Sequence, residues 1–483
     1  MPMTQSLSTR AVETAYRALS QLSSYTAWEH FQELQANQWL SREELDPIRW
    51  TKMRKLLAHA ATEVPFYRDL WGSAGVDPRR FANMEDLRDL PVVTRRALIK
   101  AQEEDAFLLS RRNDYELTHS SGTTGPRVYL PFTRHDMQVK YAGYLREFYA
   151  TDWQLGVPSA AIHYSGHPEF GGRYTGRPDR DNFLVIRKLV FRLAHRRILL
   201  KPYAKSESGD ESIVGEWYRA LRRHRPFLLE TMDFNLVTLY NYIQERNLPQ
   251  LRVPRTIVLA TLAPGFKKTL EEAFETEIFN RYGPHEMEGV AYACHEHRGM
   301  HMAIDSVHTE FLDNANRPVG PGENARIVLT DLDSRLMPLI RYEIGDMGSY
   351  LDEPCACGRG LPLMQEIACR TRDVFETRNG ERVVPSRLIA VLQEDPSIRI
   401  FQLVQVADRG IEAQIVPNPA MWRLDSEHQI KAKLGAILSE EEENIRVVRV
   451  ETVGLESNGK FCYAKREVKT NEPVDGEPSC VSP

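Results

Sequence analysis

Residues 119–133 read "HSSGTTGPRVYLPFT". Positions 120–125 set two glycines among four hydroxyl residues, and the chain turns apolar from Val128. Ser120, Ser121, Thr123 and Thr124 cannot all cap one helix, and Gly122 and Gly125 weaken any regular element. A loop dense in backbone N–H and hydroxyl donors can hold phosphate oxygens. The plainer reading is a surface turn. The rest of the chain decides between them.

The chain has 483 residues, enough for more than one domain and a large core. Hydrophobic content of 42% with 27% charged residues is ordinary for a globular protein. A formal net charge of −5 gives no electrostatic case for nucleic acid, which is not expected as a partner. No run approaches the ~20 apolar residues of a membrane span. The first residues lack the basic and then apolar regions of a secretory signal. Six cysteines in so long a chain do not make a disulfide framework, so a reducing cytoplasm is the expected location.

The first hundred residues read as mostly helical. "IRWTKMRKLLAHAATEV" (48–64) repeats apolar residues at helical spacing, and Pro65 ends it. "MEDLRDLPVVTRRALIKAQ" (84–102) predicts a short helix, a break at Pro91 and a helix capped by Thr94. Further on, "RPFLLETMDFNLVTLYNYIQERN" (225–247) offers a strand and then a helix. "RTIVLATLA" (255–263) is a buried strand leading to the helix "GFKKTLEEAFE" (265–275). This alternation predicts an α/β domain with a partly parallel sheet. From Asp305 to Tyr350 the pattern is β-rich, with "ARIVLTDL" (325–332) as the clearest strand. The basic and apolar stretch "NFLVIRKLVFRLAHRRILLK" (182–201) is read as a partly buried helix rather than a membrane-surface one. A boundary falls near residue 370. A large domain, 1–371, is followed by a small α+β domain, 372–470, and a disordered tail, 471–483. In the small domain "RIFQLVQVADRGIEAQIVP" (399–417) reads as a hairpin, "SEHQIKAKLGAIL" (426–438) as a helix and "IRVVRVETV" (445–453) as a strand.

Four later segments follow the loop in a fixed order: "RYGPHEMEG" (281–289), "IRYEIGD" (340–346), "CRTRDVFETRNGERVVP" (369–385) and "NGKFCYAKR" (458–466). Together the five resemble the adenylate-forming acyl/aryl–CoA ligase superfamily, and within it phenylacetate–CoA ligases and their capsular-polysaccharide-type relatives. "VPFYRDLW" (64–71) and "FANMEDLRDLPVVTRRAL" (81–98) are similar to the N-terminal region of that branch. The resemblance runs from about residue 50 to 466. It implies the adenylate-forming ligase fold: a large multi-sheet α/β domain and a small mobile α+β domain.

The resemblance also implies roles. Ser120, Ser121, Gly122, Thr123, Thr124 and Gly125 match the loop that holds the triphosphate of ATP, with Arg127 where a lysine is usual. Glu286 matches the carboxylate that holds Mg²⁺, a hard cation needing oxygen ligands. Tyr282 matches the aromatic packed on adenine, with Gly283 beside it, and Asp346 the carboxylate that receives the ribose hydroxyls. Arg370 matches a nucleotide-contacting arginine, and Arg372 the hinge between domains. Cys369 stands where glycine is usual. Lys460 matches the catalytic lysine, a mobile cation suited to charge building on the α-phosphate. Relatives line the acyl site with segments matching "AIHYSGHPEFGG" (161–172) and 260–289, which makes His163, Tyr164, His167, Ala260 and Gly283 candidates for the acid.

Cys294, Cys355 and Cys357 lie in two segments, "CHEHRGMH" (294–301) and "CACGRG" (355–360), with histidines close by. Three thiolates and one imidazole make a tetrahedral Zn²⁺ set, and some relatives have a structural metal there. The fourth ligand is His301, with His297 as the alternative. Reduced cysteines lining a loop are the competing reading.

The expected protein therefore activates a carboxylic acid, taken to be aromatic, with ATP and Mg²⁺, and passes the acyl-adenylate to coenzyme A. One alternative hands it to an amine, a hydroxyl or a separate carrier protein. Another is a nucleotide-binding homologue without catalysis. The expected partners are the acid and the acyl acceptor, with a second copy of the chain as a further candidate.

Overall fold

The computed structural model describes residues 7–22, 26–119, 127–162, 194, 196–201, 211–259, 262–438, 444–454 and 461–467. Two compact units emerge. The larger comprises residues up to 261, 270–344 and 348–367; the smaller comprises 262–269, 345–347 and 368 onward.

The larger unit begins with helices α1 (Leu7–Leu22), α2 (Ala27–Asn37), α3 (Arg42–Glu63) and α4 (Pro65–Ala74). Helix α3 starts six residues before the predicted stretch. Ser41 accepts the Glu44 N–H and Glu44 returns the bond, a capping box that starts the helix upstream of Pro47. Pro65 ends α3 as expected and opens α4, where its missing N–H costs nothing. Residues Met84–Asp89 form one 3₁₀ segment, and Thr94 caps α5 (Arg95–Glu103) by accepting the Ala97 N–H.

The strands β1 (Tyr115–His119) and β2 (Tyr129–Thr133) form an antiparallel hairpin, and α6 (Arg134–Tyr149) follows from a Thr133–Asp136 capping box. The main sheet is built from β3 (Ser159–Ile162), β4 (Arg197–Leu200), β5 (Leu228–Thr231), β6 (Arg255–Val258), β7 (Glu277–Tyr282), β8 (Ala291–Ala293) and β9 (Met300–Met302). Beyond β10 (Val307–Leu312), β11 (Ala325–Asp331) and β12 (Tyr342–Gly348), the strands β13 (Tyr350–Leu351) and β14 (Leu363–Met364) complete it. Its nine strands run in the order β13-β14-β9-β8-β7-β6-β5-β3-β4. From β4 to β7 all neighbours are parallel; from β7 to β13 all are antiparallel. Helices Asp233–Glu245 and Pro264–Phe274 follow β5 and β6, as the alternation predicted.

One expectation is corrected. The end of the basic stretch, Arg197–Leu200, is strand and not helix. Arg197 pairs there with Glu230 of β5, and both side chains are almost wholly covered. That carboxylate also meets Arg281 Nη1 at 2.8 Å and the Tyr144 hydroxyl. Arg281 reaches Glu147 of α6 at 2.9 Å, and its guanidinium lies 4.3 Å from the Tyr144 ring centre. Tyr144, Glu147, Glu230 and Arg281 are buried, and the Arg197 side chain is 4% exposed.

In the smaller unit the strands run in the order Ile445–Arg449, Ile411–Pro417, Ile398–Gln405, Ala464–Arg466. The central pair is the predicted antiparallel hairpin, and each outer strand is parallel to its neighbour. Helices Ser386–Gln393 and Ser426–Leu438 bury Leu388, Leu392, Ile430 and Leu434 against Phe401, Leu403 and Ile415. The short segment 262–269 is tied in by the Ala263 N–H, which donates to Gln393 Oε1 at 2.7 Å.

Candidate functional site

In parallel sheets, ligands gather at the carboxyl ends of the strands. Strand β7 ends at Tyr282, which is buried, and the turn 283–289 follows it. Gly283 permits this turn: a Cβ there would lie 3.0 Å from the Gly289 nitrogen. The Val290 N–H donates to the Tyr282 carbonyl, closing the turn at its far end. Glu286 sits at the turn with 8% of its side chain exposed.

The partner of Glu286 is a residue that sequence reasoning passed over. Arg95 Nη1 donates to Glu286 Oε1 at 3.3 Å. Arg95 is positioned by a parallel bridge, Val93 with Tyr342: the Val93 N–H donates to the Arg341 carbonyl at 2.8 Å, and the Glu343 N–H returns to Val93 at 2.9 Å. The "IRYEIGD" strand thus aims the start of α5 at the "RYGPHEMEG" turn. A signal was readable. Helix N-termini favour acids, yet α5 opens on Arg95 and Arg96 with no acid in its first turn.

The β1–β2 hairpin meets the same turn. Thr118 Oγ1 and His285 Nε2 are 3.0 Å apart, and Arg127 Nη1 lies 3.2 Å from His119 Nε2. His119 faces Tyr129 across the hairpin. Ser120, Ser121, Gly122, Thr123, Thr124 and Gly125 lie outside the described residues, as do His163, Tyr164, His167, Ala260 and Lys460. Of the nucleotide candidates that are described, Arg127, Tyr282, Gly283 and Glu286 lie in the larger unit.

The smaller unit holds Asp346, Arg370 and Arg372. Asp346 pairs with Arg370, and Met347 with Cys369, in antiparallel register between β12 and β15 (Cys369–Arg370). Cys369 stands in extended strand, a conformation that does not require the glycine usual there. Burial pushes its thiol up to about 12, and Asp373 and Asp346 add to the shift. Arg372 lies on the 3₁₀ turn Thr371–Asp373, 3.5 Å from Asp373.

The cysteine prediction finds a compact cluster. One ligand atom each from Cys294, His301, Cys355 and Cys357 lies within 4.8 Å of all the others. Cys294 and Cys355 sulfurs are 3.7 Å apart, and His301 Nε2 is 3.4 Å from Cys294 and 3.3 Å from Cys357. A tetrahedron with metal–sulfur bonds of ~2.3 Å has edges of about 3.8 Å, so a zinc-sized ion fits. His301 Nδ1 faces the Leu361 carbonyl at 3.1 Å, which turns Nε2 inward. Burial holds the imidazole neutral, its pKa brought down to about 4, and raises Cys294 to about 12. His297 is elsewhere, 3.0 Å from Glu277 on the surface. The loop that carries the cluster grips the α2–α3 turn. The Gly360 N–H donates to the Gln38 carbonyl, Arg359 Nε to Gln38 Oε1, and a Cβ at Gly360 would lie 1.7 Å from the Leu40 oxygen.

No family model matches the chain. It is 26% identical to a phenylacetate–coenzyme A ligase of Thermus thermophilus over 366 residues, 74% of this chain and 77% of that protein. A phenylacetate–coenzyme A ligase of Escherichia coli is 25% identical over 359 residues, 72% and 76% of the two chains. One from Pseudomonas putida is 21% identical over 445 residues, 88% and 93%. Among solved structures, 2-hydroxyisobutyryl-CoA ligase in the postadenylation state superposes with a TM-score of 0.74 at 18% identity, covering 88% and 90%. An anthranilate CoA ligase gives 0.54 at 14% identity, covering 72% and 65%. The chain is a homologue of phenylacetate–coenzyme A ligases and has the fold of the adenylate-forming ligases. Among the described residues, no helix is long and apolar enough to cross a membrane.

Proposed function

We propose that this homologue of the phenylacetate–coenzyme A ligases activates an aryl carboxylic acid with ATP and transfers the acyl group to coenzyme A. A carboxylate oxygen of the acid attacks the α-phosphorus, forming the acyl-adenylate as the bond to pyrophosphate breaks. The coenzyme A thiolate then attacks the acyl carbon, and AMP leaves with the bonding pair. The observation that carries the reading is the convergence of Glu286, Arg95, His285 and the β1–β2 hairpin at the carboxyl end of β7. In this reading residues 120–125 and Arg127 hold the phosphates, Tyr282 packs on adenine, and Asp346 and Arg370 hold the ribose and phosphate side. Lys460 meets the charge that builds in the first transition state. Arg372 marks the hinge used between the two half-reactions. Glu286 is the residue for Mg²⁺, since its buried carboxylate already draws a cation, Arg95. Mg²⁺ there would offset charge on the phosphate oxygens.

The test is acid-dependent ATP–pyrophosphate exchange over a panel of aryl acids, repeated with coenzyme A and product masses. Exchange with a thioester product supports the reading. Exchange without one moves the acyl group to an amine, hydroxyl or carrier acceptor; ATP binding without exchange for any acid leaves a non-catalytic homologue. Lys460→Ala is expected to lower exchange at least a hundredfold while ATP affinity stays within about threefold. Full exchange in that variant removes Lys460 from its role.

The Cys294–His301–Cys355–Cys357 cluster is the residue set for a structural Zn²⁺ that would lock the loop 355–361 to β8 and β9. One equivalent of zinc per chain is expected by metal analysis, falling well below one in Cys357→Ser. A fully folded preparation with no metal would dismiss it.

A further inference from the structure

The cluster and the nucleotide turn lie on one row of the sheet. Leu363 of β14 is directly opposite His301 of β9, His301 is opposite Tyr292 of β8, and Tyr292 is opposite Arg281 of β7. Directly opposed residues put their side chains on one face, with Cβ atoms about 4.5–5.5 Å apart. The His301 and Tyr292 rings have centroids 5.9 Å apart, tilted by 39°. The Arg146 guanidinium lies 5.6 Å from the Tyr292 ring, while Tyr292 Oη donates to Gln38 Oε1 at 3.0 Å. Arg281 ends the row, locked to Glu147 and Glu230, and the next residue is Tyr282.

The strands between the two ends are short. β8 and β9 have three residues each, and β14 has two. A hairpin of that length does not support itself. The cluster residues fall where support is missing: Cys294 directly after β8, His301 inside β9, and Cys355 and Cys357 ahead of β14. A metal ion on them joins three consecutive strands. Without it, His301 keeps the Leu361 carbonyl and the Cys294 and Cys357 sulfurs as neighbours but no bond to a metal fixes its ring, and Tyr292 loses a fixed neighbour on that side.

We propose that the Cys294–His301–Cys355–Cys357 cluster is a coupling site: a metal ion held there strengthens adenine-nucleotide binding at the β7 turn through the row His301–Tyr292–Arg281. This rests on the nucleotide reading of that turn and on the cluster holding a metal. Two ligands that stabilise one element help each other equally, so the effect is reciprocal.

The experiment compares ATP binding, by calorimetry with Mg²⁺, to the full chain loaded with zinc and to the chain stripped by chelator and then freed of it. ATP is expected to bind roughly tenfold more weakly to the stripped chain, a coupling of about 1.4 kcal/mol. Zinc is expected to be held about tenfold more tightly against a chromophoric chelator when ATP is saturating. Tyr292→Leu leaves all four ligands in place; it should keep one equivalent of zinc while the coupling falls below about twofold. A purely local metal knuckle would give the same ATP affinity with and without zinc, and that result overturns the proposal. So does a Tyr292→Leu variant with undiminished coupling. If the stripped chain unfolds, zinc capture from the loaded chain decides alone, and capture indifferent to ATP overturns the proposal. A chain that binds no ATP in either state overturns the nucleotide reading and the coupling with it.

Discussion

Glu286→Gln is expected to lower acid-dependent ATP–pyrophosphate exchange by roughly a hundred- to a thousandfold, the usual cost of deleting one charge-stabilising group from a reacting centre. The substitution keeps shape and one oxygen but loses the charge that attracts a dication. The Mg²⁺ concentration for half-maximal exchange should therefore rise, an effect a loss of packing would not produce. Arg95 makes the outcome sharper. Its guanidinium is the cation that Glu286 holds in this structure, at 3.3 Å. Arg95→Gln should remove a competitor for the carboxylate, and its half-maximal Mg²⁺ concentration should fall or stay level while that of Glu286→Gln rises. An E286Q variant with unchanged rate and unchanged Mg²⁺ dependence would detach Glu286 from catalysis.

The largest effect on stability is expected at Glu230. Its carboxylate receives Arg197, Arg281 and the Tyr144 hydroxyl in a fully buried space. Removing one partner of such a group leaves the others charged and desolvated, which costs about 3–5 kcal/mol. Glu230→Leu should lower the thermal midpoint by roughly 5–15 °C, and the loss should reach β7, because Arg281 precedes Tyr282. The exposed pair Arg42–Asp46 provides the contrast. Breaking a surface pair of that kind costs about 0–1 kcal/mol. A Glu230→Leu protein that melts with the wild type would show that the buried charges are not mutually dependent.

These buried charges also mark where the sequence could be read and where it could not. Pro65, Thr94 and the strand–helix pairs around Leu228 and Arg255 declare themselves locally, through a missing N–H, a capping hydroxyl or a run of apolar residues. Arg197, Glu230 and Arg281 do the opposite. None carries a local signal of its partner, and only the assembled sheet shows that they neutralise one another; the segment ending at Leu200 reads as a partly buried helix from sequence. His301 and His297 are alike in sequence. What separates them is that His301 falls inside β9, opposite Tyr292, whereas His297 sits at a left-handed turn position with φ 48°. Arg95 was hidden because its relevance comes from the bridge between Val93 and Tyr342, 249 positions apart in the chain.

The smaller unit draws on three separated stretches of the chain, and this sets an order on its making. The Ala263 N–H finds its acceptor, Gln393, 130 residues later. At a synthesis rate of about 5–20 residues per second, that acceptor follows by roughly 7–26 s. The strand Ala464–Arg466, which pairs with Leu403–Gln405, comes later still. On the ribosome the parallel part of the main sheet can therefore assemble while segment 262–269 waits without its partner. That strand, the last among the described residues, completes the smaller unit, so a chain cut short before it would carry an assembled larger unit and no means of finishing the smaller one.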